Sequence, residues 1–139
     1  MHFFIDENLS PNLAKVLHYI AQLCAEKHSV LHARTFNDRP GVPDQEWLER
    51  LQQDGNWVIL SKDRFKKGDR EKLAFERAGL TIINLGKDWN RRKGLETAVQ
   101  LVRWWPTISK EVIQTDGPML YELPWGVSDK LSGRKLPKT

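Results

Sequence analysis

Residues 56–61, Asn-Trp-Val-Ile-Leu-Ser, constrain the fold more than any other stretch of the chain. A tryptophan followed by three aliphatics, with no polar alternation, suits a strand covered on both faces, and that environment belongs to parallel sheets flanked by helices. The run ends at Ser61-Lys62-Asp63. Other segments fit the same sheet. HFFID at 2–6 is a short apolar strand ending in an acid, SVLHARTF at 29–36 is a second β-rich segment, and LTIINL at 80–85 is a fourth strand.

Helical periodicity fills the intervals. Ser10 is a helix N-cap and Pro11 fits the first helical position, after which Leu13, Val16, Leu17, Ile20, Leu23 and Cys24 recur at spacings of three and four to about Lys27. NDRPGVP is punctuated as a loop, and a short helix starts at Asp44 with Trp47, Leu48 and Leu51 on one face and Gly55 beyond its end. A third helix is expected over about 69–78, closed by Gly79. A fourth, through Leu95 to Trp105, is expected to halt at Pro106. Strands alternating with helices predict an α/β fold with a mostly parallel central sheet and helices on both faces. MLYELPWG at 119–126 offers an edge strand.

A chain of 139 residues supports one core, here assigned to residues 1–127, with 128–139 expected as a basic, flexible tail. The tail carries Lys130, Arg134, Lys135 and Lys138 against Asp129. The formal charge of +4 is modest, but basic residues concentrate at 62–70 and 87–93, a distribution that suits a polyanionic partner unless it is simply solvated surface. The single cysteine, Cys24, excludes an internal disulfide and reads as a buried, inert thiol, which favours a reducing, cytoplasmic compartment. No apolar run approaches the roughly 18 residues needed to span a bilayer, so no membrane role is expected.

Ligands of open parallel sheets bind beyond the carboxyl ends of the strands. Asp6 ends the first strand and Asp63 follows the third, so the two share one crevice if those strands are neighbours, with Asp44 a third acid for the same rim. Each has an ordinary alternative. Asp44 can cap its helix for about 1 kcal/mol, Asp63 can belong to a turn or pair with Arg64 or Lys66, and Asp6 can serve turn amides. Together they need more. Two carboxylates about 4 Å apart repel by on the order of 4 kcal/mol at an effective dielectric of about 20. A hard divalent cation such as Mg²⁺ or Mn²⁺ offsets that repulsion. Zinc is disfavoured, since His2, His18, His28 and His32 show no helical ligand spacing with an acid. A carboxylate-held ion beside basic loops suits phosphodiester hydrolysis.

The stretches FIDENLSPNLAKVL, PDQEWLERL, WVILSKDRFKKG and AGLTIINLG, in that order over about residues 2–105, resemble the PIN-like domains related to VapC-type toxins. The resemblance implies a three-layer α/β/α sandwich, an Mg²⁺- or Mn²⁺-dependent endoribonuclease, RNA as substrate and a cognate antitoxin as partner, with a homodimer left open. It also implies that Asp6, Asp44 and Asp63 are the catalytic, metal-holding acids and that Asn8 and Ser61 support them. Lys62, Arg64, Lys66, Lys67, Arg91 and Arg92 would then bind RNA. Relatives often carry a second acid shortly after the third-strand one; here the chain reads Asp63-Arg64-Phe65, leaving Glu46 or Asp69 as substitutes. That departure keeps open a non-catalytic PIN-like module binding RNA or protein. A phosphoacceptor receiver domain fits less well, because it needs an aspartate ending the central strand as well as the lysine that Leu85-Gly86-Lys87 supplies.

Overall fold

The computed structural model describes residues 1–62, 70–115 and 117–137. Within them the chain is an α/β protein built on one six-stranded sheet in the order β2-β1-β3-β4-β5-β6. The strands are β1 (His2–Ile5), β2 (Ser29–His32), β3 (Trp57–Lys62), β4 (Thr81–Leu85), β5 (Met119–Leu123) and β6 (Gly133–Lys135). β1 to β5 are mutually parallel, and only β6 runs antiparallel, against β5. Because β1 sends its crossover to β2 on one side and has β3 on the other, the strand order reverses beside β1. That reversal opens a crevice at the carboxyl ends of β1 and β3.

Strand alternation assigns the core. Phe3, Ile5, Val58, Leu60, Ile83 and Leu85 point to one face, where helices α1 (Pro11–Gln22) and α5 (Gly94–Gln114) cover them with Leu13, Leu17, Leu101, Trp104, Trp105 and Ile108. Phe4, Ile59 and Ile82 point to the other, beneath α3 (Asp44–Asp54) and α4 (Arg70–Arg77), with Trp47, Leu48, Leu51 and Phe75 packed on them. The three layers of an α/β/α sandwich follow. The apolar β3 run is central because both faces of that strand are covered, and Trp57 through Ser61 are all buried.

Several expectations are corrected. The first helix stops at Gln22, five residues early, with Leu23 as C-cap and 84% exposed. Cys24 is half-buried against the first core, its Sγ 3.6 Å from the Ile20 carbonyl. The 29–36 segment is strand only to His32, where the ring takes over as a helix cap. Its Nδ1 accepts from the Arg34 amide at 3.1 Å, its Nε2 donates to the Leu9 carbonyl at 2.8 Å, and α2 (Ala33–Asn37) begins. The last helix runs through Pro106 to Gln114. An interior proline costs about 3 kcal/mol, but Pro106 lies on the solvent side while Ile108, Ser109 and Val112 beyond it are buried. Apolar burial at about 1.5–3 kcal/mol per large side chain outweighs the broken turn.

The 119–126 segment does not form the sheet edge. β5 pairs with β4 on one side and β6 on the other, so β6 takes the edge. The stretch expected as a flexible tail therefore contains a strand. Leu131 seals the first core and Leu136 the second, and Arg134 pairs with Glu76 of α4. Two leucines five residues apart suffice to anchor a run whose other described residues are exposed.

Candidate functional site

The acid closing FFID sits where β1 and β3 meet. The Asp6 amide continues the ladder by donating to the Leu60 carbonyl at 3.0 Å, and its own carbonyl accepts from Leu9 at 3.0 Å, which turns the chain toward α1. Two residues beyond Phe4 on the same strand, the Asp6 side chain faces α3 and α4 and is 1% exposed. Burial of a carboxylate demands donors. Asp6 Oδ1 accepts from the Glu7 amide at 2.7 Å and Oδ2 from the Ser61 hydroxyl at 2.8 Å. Ser61 occupies the matching place on β3, since Ile5 pairs with Leu60 one residue earlier.

Asn8 ties the same seam from outside the sheet. Its Nδ2 donates to the Lys62 carbonyl at 2.6 Å, its Oδ1 accepts from the Lys62 amide at 3.3 Å, and Nδ2 also approaches Ser61 Oγ at 3.5 Å. An asparagine side chain thus extends β3 as a strand would, holding the chain where it leaves for residue 63. Asp6, Asn8, Ser61 and Lys62 are brought together, with Lys62 joined through its backbone.

Asp44 lies on the same face as Asp6 but is held by a different element. It is the first residue of α3, after Pro43 as N-cap, and its Oδ1 accepts from the Trp47 indole at 3.1 Å. The Trp47 ring stacks on Phe4 at 4.5 Å, so the strand that carries Asp6 also orients the side chain that holds Asp44. Glu46 is exposed and pairs with Arg39 at 3.5 Å. Asp63, Arg64, Lys66, Lys67 and Asp69 lie outside the described residues.

Arg91 and Arg92 follow a single 3₁₀ turn, Lys87–Trp89, at the carboxyl end of β4, and so stand on the same edge of the sheet as Asp6. Arg91 is exposed. Arg92 lies 4.2 Å over the Trp125 ring and 4.0 Å from Glu96, so its guanidinium plane is fixed by stacking. Trp125 in turn meets Trp89, whose indole donates to the Leu123 carbonyl at 2.8 Å.

Two polar residues on this edge went unassigned in the sequence, Asn84 and Glu122. Asn84 pairs in register with Ser61 and with Glu122, and its Nδ2 donates to Glu122 Oε2 at 3.2 Å. The signal was an asparagine inside the apolar run TIINL, two residues after Ile82 and hence on the face of Ser61.

The carboxylate of Asp6 and the hydroxyl of Ser61 beside it offer oxygen ligands, which fits a hard divalent ion in kind. In number they fall short, because no three His, Cys, Asp or Glu side chains converge among the described residues. No helix among them is long and apolar enough to cross a membrane. In comparisons with known proteins, the family described as a PIN-like domain matches residues 1–87, which span β1 to β4 and every residue of the Asp6 seam. No curated protein and no solved structure matches.

Proposed function

This chain belongs to the PIN-like domain family, a nuclease-type superfamily, and from that premise we propose that it hydrolyses RNA phosphodiester bonds with Mg²⁺ or Mn²⁺ held by Asp6, Asp44 and Asp63. The observation that carries the reading is the Asp6–Ser61–Asn8 seam, which fixes a buried carboxylate beside the exit of β3 at the strand-order reversal. Asp63 follows that exit directly and is the acid the sequence supplies to complete the ligand set. The ion would neutralise charge on the phosphoryl group and activate water. Ser61 and Asn8 hold the geometry, while Lys62, Arg64, Lys66, Lys67, Arg91 and Arg92 position neighbouring phosphates. A toxin-like role, with a cognate antitoxin protein as partner in the cytoplasm, goes with this reading.

Asp6→Asn keeps the shape and removes the charge. It should lower Mn²⁺-dependent cleavage of single-stranded RNA by at least about a hundredfold, with an unchanged circular dichroism spectrum. Cleavage at the wild-type rate refutes the assigned site.

The second reading, a non-catalytic module that binds RNA or protein, is favoured by one observation. Both Asp6 oxygens and Asp44 Oδ1 already accept hydrogen bonds from the chain itself. Calorimetric titration of wild type and Asp63→Asn with Mn²⁺ separates the two, since only a metal-dependent enzyme binds the ion and loses it on that substitution.

A further inference from the structure

The carboxyl edge of the sheet carries an aromatic mount on its α5 side that the Asp6 seam does not use. At the end of β5, three successive carbonyls each accept a side-chain N–H from a buried residue. Trp89 Nε1 donates to Leu123 at 2.8 Å, Trp104 Nε1 to Pro124 at 3.0 Å, and Gln100 Nε2 to Trp125. Gln100 and Trp104 stand one turn apart on α5, so the chain leaving β5 is clamped to the core as far as Trp125.

What the clamp fixes is the Trp125 ring. That ring is half-buried, meets Trp89 at 4.8 Å in a T-shaped contact, and has the Arg92 guanidinium 4.2 Å over it. Glu96 steadies the guanidinium from 4.0 Å, yet the Arg92 side chain keeps 38% of its surface exposed. Merely covering Trp125 needs no guanidinium, because the methylene stem of a lysine shields an apolar ring as well. A guanidinium laid on an indole is something more. Arginine planes and aromatic faces are the surfaces on which unpaired nucleobases stack.

We propose that Trp125 and Arg92 form a stacking platform for one unpaired nucleobase of an RNA strand that crosses the carboxyl edge of the sheet. β5 lies three places from β1, about 14 Å at the usual strand spacing of about 4.8 Å. The stacked base therefore belongs to a nucleotide a few positions from the one at Asp6. Exposed Lys87, Arg91 and Lys93, against Asp88 alone over 87–93, supply charge for its phosphates. Arg92 thereby serves the strand through its plane as well as its charge. The inference rests on RNA as the ligand of the proposed function and needs no metal ion.

The test is binding of a short, labelled, mixed-sequence single-stranded RNA, read by fluorescence anisotropy in EDTA so that nothing is cleaved, beside an abasic strand of the same length and charge. Arg92→Lys keeps the charge and removes the plane. It should weaken RNA binding by at least about fivefold, the lower end for one stacked base, with an unchanged salt slope. Its affinity for the abasic strand should change by less than about twofold, since no base is there to stack. Trp125→Leu should cost RNA binding at least as much, and the double variant no more than Trp125→Leu alone, because the two side chains act as one platform. Thermal melts are the folding control, and Arg92 is exposed, so its lysine variant decides the matter even if Trp125→Leu does not fold. Equal weakening for RNA and the abasic strand overturns the platform in favour of a phosphate contact. RNA binding as tight as wild type in Arg92→Lys overturns it in favour of a cation that only covers the ring. Wild-type protein that binds neither strand brings down the RNA reading itself, and this inference with it.

Discussion

The seam between β1 and β3 and the margin formed by β5 and β6 are held together by opposite means. At the seam, side chains bond to partners far away in sequence: Ser61 to Asp6, and Asn8 to both backbone groups of Lys62. At the margin, β6 contributes three exposed residues, and its anchors are Leu131 and Leu136, one in each core. Apolar burial holds an element in place but tolerates small displacements, because it is non-directional. Hydrogen bonds to both oxygens of a buried carboxylate fix where that carboxylate points. The seam is therefore the region built to position a chemical group, and the margin is the region built to close the sheet.

The margin gives the largest expected effect. Deleting residues 128–139 removes β6 and two buried leucines, each worth about 2–5 kcal/mol. Against a typical domain stability of about 5–15 kcal/mol, the truncated protein should melt more than about 10 °C lower or fail to fold. A melting temperature within a degree or two of wild type would show that closing this edge contributes little. Gly133 reinforces the expectation: a Cβ there would lie 2.6 Å from the Leu120 carbonyl oxygen, so the strand crosses β5 too closely for any side chain.

A smaller effect is expected at the seam, and it should divide differently between stability and chemistry. Asn8→Ala removes the two bonds to the Lys62 backbone, worth about 0.5–1.5 kcal/mol each. Chemical denaturation should show a loss of about 1–3 kcal/mol, while Mn²⁺-dependent RNA cleavage should fall by a larger factor than that loss alone would give, since the exit of β3 is freed. Activity that stays at the wild-type rate in the folded variant would remove Asn8 from the positioning apparatus.

These two regions also differ in how far they could be read from the sequence. The seam was legible because its logic is local. An apolar strand that stops at an acid, followed by a capped helix, and a second apolar run that stops at Ser-Lys-Asp each announce themselves within ten residues. Their meeting needed only the assumption that β1 and β3 are neighbours, which the register bears out. The margin was illegible because nothing within residues 128–137 distinguishes two anchoring leucines from two exposed ones; each joins a core assembled from elements distant in sequence. Pro106 misled for a similar reason. Local chemistry says a helix ends there, and only the buried Ile108 and Val112 beyond it, facing a core assembled from distant strands, reverse that outcome. Asn84 belongs between the two cases: its face was predictable from strand alternation, but its partner Glu122 on the neighbouring strand was not.

The smallest effect concerns a polar contact that links β5 to the end of α5, and it is expressed as a pH dependence. The Tyr121 hydroxyl on β5 bonds Thr115 Oγ1 at the end of α5. Burial pushes its pKa above the usual 10.0, and the nearby Glu111 carboxylate pushes the same way, against a lowering by the Thr115 bond. The sign follows from linkage. In the unfolded chain the phenol loses its proton near its ordinary value, whereas the folded protein holds it to higher pH. The contribution of this group to stability is therefore fully present below about pH 10 and is lost as pH rises through the raised folded value. Denaturation curves should show stability declining over that alkaline window, and Tyr121→Phe, which has no proton to lose, should flatten the decline while shifting the neutral-pH stability by only the value of one hydrogen bond. Tyrosinate absorbance should show the buried Tyr121 phenol losing its proton above the usual tyrosine range. If the variant declines as steeply as wild type, the polar tie between β5 and α5 carries no weight of its own. The weight of the margin would then shift further onto Leu131 and Leu136, and the contrast with the seam would sharpen.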